Sequence, residues 1–138
     1  MLDCIFCKIV RKEIPAEIVY ETEHWLAFLD IKPVNPGHTL LVPKTHFENL
    51  FDLPAERLAE FGGVAQKLAR AVKMATNAAG LNLGMNNGRS AGQLIDHAHL
   101  HLIPRFENDG HRHWHGQTTP TKNELMEMKE KILAVLSE

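Results

Sequence analysis

A chain of 138 residues, 44% of them hydrophobic, suits one globular domain that buries roughly two-thirds of its unfolded surface. Fifteen Lys+Arg against 17 Asp+Glu give a formal charge of −2, which excludes a broad cationic surface for long nucleic acid but leaves room for a small anionic ligand held by local donors. No apolar run reaches membrane-spanning length, and the opening "MLDCIFCKIV" lacks the basic-then-apolar order of a secretory signal. A soluble cytoplasmic protein with reduced thiols and no membrane partner is therefore expected.

Residues 17–22 ("EIVYET") and 24–31 ("HWLAFLDI") are short and rich in β-branched or aromatic side chains, and they read as neighbouring strands. The turn-prone "KPVNPGH" follows, and Pro36 and Gly37 reverse the chain into a third strand, "TLLVPK", over 39–44. From Asp52 the period changes: Leu58, Phe61, Ala65, Leu68, Val72, Ala75 and Ala79 recur at steps of three and four, the signature of a long amphipathic helix. Asp52 and Pro54 mark its start and Gly80 its stop, while Gly62 and Gly63 weaken its first turns. "LNLGMN" then reads as a strand, "NGRSAGQ" as a glycine-rich loop, and residues 84–101 as a hairpin closed by the histidine-rich "LIDHAHLHLIPR". The final segment opens with a capping box, Thr121 to Glu124, and runs as an amphipathic helix that packs on the sheet or on a partner. One α+β domain over residues 1–138 is the economical reading, with a C-terminal extension from about residue 106.

His97, His99 and His101 alternate with Ala98, Leu100 and Leu102. On a strand the imidazoles would share one face at a spacing of roughly 7 Å, with the apolar residues anchored in the core. Such a trio can serve a catalytic Zn²⁺, although the rise of a strand splays three ligands too far for one ion without bending. It can also place a central imidazole as a nucleophile whose neighbours set its tautomer and surroundings. Phosphorus is a fitting target, because phosphoryl transfer depends on positioning and on neutralising oxygen charge, and backbone N–H groups of the preceding loop suit that task. His111, His113 and His115 repeat the alternation in "HRHWHGQ", but Arg112 occupies one of the intervening positions. We expect a mobile or partner-contacting loop there, with metal or phosphate binding as the lesser alternative.

The segment "HAHLHLI" resembles the signature of the histidine triad (HIT) superfamily. "DCIFCKIVRKEIPAEIVYE", "AFLDIKPVNPGHTLLVPKTH" and "MNNGRSAGQLIDHAHLHLIPR" are similar to successive blocks of its Hint branch. The resemblance covers roughly residues 3–105. It implies a HIT-like antiparallel sheet of about five strands with one long central helix and a C-terminal helix, in a homodimer. It implies a purine nucleoside monophosphate-type substrate, with His99 as the nucleophile that becomes nucleotidylated and His97 and His101 as supporting triad members. Asp30 matches the ribose-binding acid, and Asn86 and Gln93 match positions beside the phosphate. Many Hint proteins carry serine after the glutamine, where this chain has Leu94, so a hydroxyl near the leaving group is missing.

Cys4 and Cys7 form a C-x-x-C pair suited to two corners of a tetrahedral zinc, and His46 and His97 are the residues expected to complete it, as in similar family members. Such a zinc would be structural, and no cofactor is expected in catalysis. The competing reading of the pair is two buried thiols beside Ile5 and Phe6. Two functional classes follow: a hydrolase or transferase acting on nucleoside phosphoramidates, nucleotidyl adducts or dinucleoside polyphosphates, and a nucleotide-binding adaptor with little turnover.

Overall fold

The computed structural model describes residues 3–138. Five strands, β1 (Ile18–Glu21), β2 (Trp25–Leu29), β3 (Thr39–Pro43), β4 (Gly80–Gly84) and β5 (Leu100–Arg105), form one sheet in the order β1-β2-β3-β5-β4. Every neighbouring pair is antiparallel. The near-continuous apolar runs of β2 and β3 are explained by their position, since both faces are covered. Trp25, Ala27, Leu41, Leu100 and Leu102 pack on Ala65 and Leu68 of the long helix α2 (Ala55–Thr76). On the other face, Leu26, Phe28, Leu40 and Val42 pack with Phe6 and Ile9 of a short helix, α1 (Ile5–Val10).

Helix α1 was not expected from the sequence. Its 6 residues are too few to be stable alone, so burial of Phe6 and Ile9 must hold it, at roughly 1.5–3 kcal/mol per side chain. Helix α2 runs unbroken through Gly62 and Gly63, but it ends before the expected Gly80. Asn77 takes the left-handed conformation at φ 55°, and the Ala78 N–H reaches back to the Lys73 carbonyl at 3.2 Å, satisfying a terminal acceptor as a glycine there would. Gly80 instead opens β4. Gly37, at φ +94°, is required in the turn before β3, because a Cβ there would collide with the Thr76 side chain.

Strands β4 and β5 pair as expected, with Gly84 opposite His101, but residues 85–99 between them form a long connection rather than a tight turn. The C-terminal helix α3 (Lys122–Leu136) has its capping box. Every residue of α3 is exposed, so within this chain it does not pack on the sheet. Among the described residues no helix is long and apolar enough to cross a membrane.

Candidate active site

Strand β5 begins only at Leu100, which divides the histidine segment. The Ala98 N–H donates to the Phe47 carbonyl at 2.7 Å instead of to a neighbouring strand, so His97 lies in a bend. The expectation of three imidazoles on one regular strand face is corrected accordingly. His97 is fully buried and its Nδ1 meets the cysteine pair, whereas His99 and His101 stay together, with ring centroids 5.0 Å apart. The triad therefore does not converge on one ion. The two metal-compatible groups among the described residues take His97 and His101 separately, and neither includes His99.

Hydrogen bonds fix the tautomers. His99 Nδ1–H donates to the His97 carbonyl at 2.7 Å, leaving the Nε2 lone pair available. His38 Nδ1 accepts the Val34 N–H at 3.0 Å, so the proton of neutral His38 sits on Nε2 and is donated to His101 Nδ1 at 2.9 Å. His101 then carries its own proton on Nε2. Burial is the main reason His101 is pushed down to about 4 from 6.5, with the neighbouring His99 and His38 adding to it. Burial likewise lowers His38.

A depressed folded-state value makes neutral His101 a stabilising feature above 6.5, and that stability is lost as pH falls through about 4. The unfolded chain binds the proton first, so melting temperature should decline across that window, with His101 contributing on the order of 3 kcal/mol. Thermal melts of the wild type and His101→Gln at several pH values between 7 and 4 check this. The variant should decline less steeply, and an identical slope would refute the assignment to His101.

The predicted ligand-binding residues occupy different settings. One Asp30 oxygen accepts the Lys32 N–H at 2.9 Å, and the other lies 3.7 Å from His38 Nε2. Asn86 lines a pocket of about 560 Å³ shared with His38 and His101. Gln93 is 1% exposed, and its amide is engaged internally: Oε1 accepts the Gly88 N–H at 2.8 Å, while Nε2 donates to the Glu48 and Ile95 carbonyls at 2.6 and 3.0 Å. It shapes the glycine loop from within. The loop also spends the N–H groups of Gly88, Ala91, Gly92 and Gln93 on its own acceptors, so these are not the anion donors the sequence suggested. Leu94 is exposed and offers no donor atom.

Cys4, Cys7, His46 and His97 do come together. His97 Nδ1 lies 3.3 Å from Cys4 Sγ, 3.6 Å from Cys7 Sγ and 3.2 Å from His46 Nδ1, and Cys7 Sγ lies 3.3 Å from His46 Nδ1. A tetrahedral zinc with ordinary Zn–N and Zn–S bonds has ligand–ligand edges of about 3.3–3.8 Å, so this donor set fits that ion. His97 Nε2–H donates to the Pro43 carbonyl at 2.8 Å, which turns the Nδ1 lone pair toward the group. Burial pushes His97 down to about 4, keeping it neutral as a ligand must be, and raises the Cys7 thiol. The Asp30, His38 and His101 group fits a cation less well, because the Val34 N–H places a proton on the His38 nitrogen that would have to bind.

Two residues were missed in the sequence. His38 sits in a turn motif, and only the β3–β5 pairing brings it to His101. Phe6 lies between the cysteines and packs edge-on against His99, with centroids 5.1 Å apart.

A family model described as the HIT domain matches residues 11–108. An adenosine 5′-monophosphoramidase of Saccharomyces cerevisiae is 46% identical over 102 residues, covering 74% of this chain and 62% of that protein. A solved structure from Streptococcus mutans UA159 superposes with a TM-score of 0.93 at 43% identity, covering 99% of this chain and 87% of the other. A Zn-bound histidine triad family protein from Mycobacterium smegmatis superposes with a TM-score of 0.74 at 38% identity, covering 99% and 96%.

Proposed function

The chain belongs to the HIT domain family, and from that premise we propose that it hydrolyses purine nucleoside phosphoramidates or related nucleotidyl adducts through a nucleotidyl-His99 intermediate. Nucleotide hydrolase activity in general is supported by its relatives. The single observation that carries the finer reading is the His99 Nδ1–H bond to the His97 carbonyl, which leaves Nε2 as the nucleophilic atom. In the proposed reaction, Nε2 attacks the α-phosphorus as the bond to the leaving group breaks, and an amine leaving group departs with that electron pair and a proton drawn from solvent. Water then attacks the phosphorus and releases the nucleoside monophosphate, returning neutral His99. His101 Nε2–H is the donor for charge developing on phosphate oxygen, and its orientation is maintained by His38. Asp30 would accept the ribose hydroxyls, Asn86 would contribute an amide donor, and Gln93 would act by shaping the loop. Zinc held by Cys4, Cys7, His46 and His97 would tie α1 to the histidine segment without touching the reacting atoms. The test is AMP release from adenosine 5′-phosphoramidate by purified protein. AMP binding without release would favour an adaptor instead.

The same reading includes a homodimer. Leu125, Met128, Ile132 and Val135 recur at steps of three, four and three along α3, the spacing of a helix–helix seam, and they are 53–69% exposed. A 15-residue helix with an uncovered apolar stripe is marginal in water. A second copy would cover the stripe. Sedimentation equilibrium should give about twice the 15.6 kDa chain mass, and Met128→Glu with Ile132→Glu should reduce it to one chain. A monomeric wild type would rule the dimer out.

A further inference from the structure

Helix α1 carries Phe6 between its two cysteines. The ring is buried, and three others pack against it: Phe28 at 5.5 Å between centroids, His97 at 5.8 Å, and His99 at 5.1 Å with an interplanar angle of 80°. The cysteines on either side of it reach the histidine segment as well, because Cys4 Sγ and Cys7 Sγ lie 3.3 and 3.6 Å from His97 Nδ1. The place of the Phe6 ring is therefore set from both sides along the chain and from the core beneath. A helix of 6 residues could not set it alone.

His99 needs such a support. Among the described residues its ring makes one hydrogen bond, from Nδ1–H to the His97 carbonyl at 2.7 Å. A single neutral bond favours one ring orientation by about tenfold, and the torsion that turns a histidine ring has no strong preference of its own. A half-turn exchanges Nδ1 with Cδ2 and puts Cε1 where Nε2 had pointed, so a carbon replaces the nucleophilic atom. Two neighbours stand against that turn, Phe6 and His101, the latter at 5.0 Å and 67°. Rings that meet steeply at about 5 Å are in van der Waals contact, and in a close-packed interior neither turns without displacing the other. Resting on the nucleotidyl-His99 reading, we propose that Phe6 is a positioning residue for the reaction, confining the His99 ring to the orientation in which Nε2 faces the α-phosphorus. It acts through His99, so its contribution falls on the geometry of attack rather than on substrate affinity.

The test uses Phe6→Leu and Phe6→Met, two variants that keep an apolar side chain in the core and remove the flat ring. Ile9→Val is the control: Ile9 belongs to the same helix and the same buried cluster, and it has no ring to set against His99. For AMP release from adenosine 5′-phosphoramidate, kcat should fall about tenfold in both Phe6 variants at unchanged KM, and Ile9→Val should match the wild type. Imidazole nitrogen NMR at about pH 8, where free imidazole is neutral, reads the orientation directly. Wild-type His99 should show one protonated nitrogen and one bare one, and in the Phe6 variants the two resonances should move toward each other as the ring leaves the His97 carbonyl and mixes its tautomers. Unchanged kcat and resonances overturn the inference. So does a raised KM at unchanged kcat, which would make Phe6 a substrate contact, and so does an equal loss in Ile9→Val, which would reduce its role to stability. If wild-type protein releases no AMP, the hydrolase reading is what has failed, and the NMR comparison alone then decides: resonances that move only in the Phe6 variants uphold the positioning role, and unmoved resonances refute it.

Discussion

The His99→Ala variant is expected to release AMP from adenosine 5′-phosphoramidate at least about a thousandfold more slowly than the wild type, the scale seen when a covalent nucleophile is removed. The reason is that no neighbouring imidazole has an uncommitted lone pair facing the pocket. His97 is fully buried, with Nε2 bonded to Pro43 and Nδ1 among the cysteines and His46. His101 has Nδ1 occupied by His38, and that bond leaves its proton on Nε2. Losing the edge-on contact with Phe6 costs about 1 kcal/mol, so the variant should remain folded. AMP affinity should stay close to the wild-type value, because Asp30 and Asn86 are untouched. Chromatographic product assays and calorimetry of both proteins provide the check. Turnover within tenfold of the wild type would exclude His99 as the nucleophile.

The second large effect concerns the metal group. Protein purified without an affinity tag or chelator should contain about one equivalent of zinc, and Cys4→Ser with Cys7→Ser should contain essentially none. Four ligands from three separate segments converge there, so the ion would close long loops and tie α1 against His97. Its loss should cost on the order of 3 kcal/mol, or about 10 °C in melting temperature for a chain of this length. Activity should fall less than in His99→Ala, since the effect on His99 passes only through Phe6. Well under one equivalent of zinc in the wild type would remove the metal from the account and leave two buried thiols.

Strand periodicity, the 3.6-residue stripe of α2 and the Thr121–Glu124 box each act within a few residues, and the strands, the long helix and the capped α3 were accordingly legible. Local context misled at helix ends and loops. Gly80 looked like the stop for α2 because glycine is the commoner left-handed residue, yet Asn77 came first and sufficed. The loop of residues 87–93 suggested donors for an anion, but the N–H groups of Gly88, Ala91, Gly92 and Gln93 are consumed by its own turns and by the Gln93 side chain.

Sequence alone determined the pairing partners nearest in the chain, the place of His99 as the central histidine of the three, and the four residues that converge as a metal-compatible group. Those follow from residue type and from spacing that resembles the family. Only the tertiary structure decided which partner each histidine nitrogen meets. His97, His99 and His101 look equivalent along the chain, but a nitrogen's role depends on which hydrogen-bond partner takes the opposite nitrogen, and those partners come from distant segments. Pro43 and the cysteines commit His97 to the metal group, and His38, brought across by the β3–β5 register, commits His101 to donating.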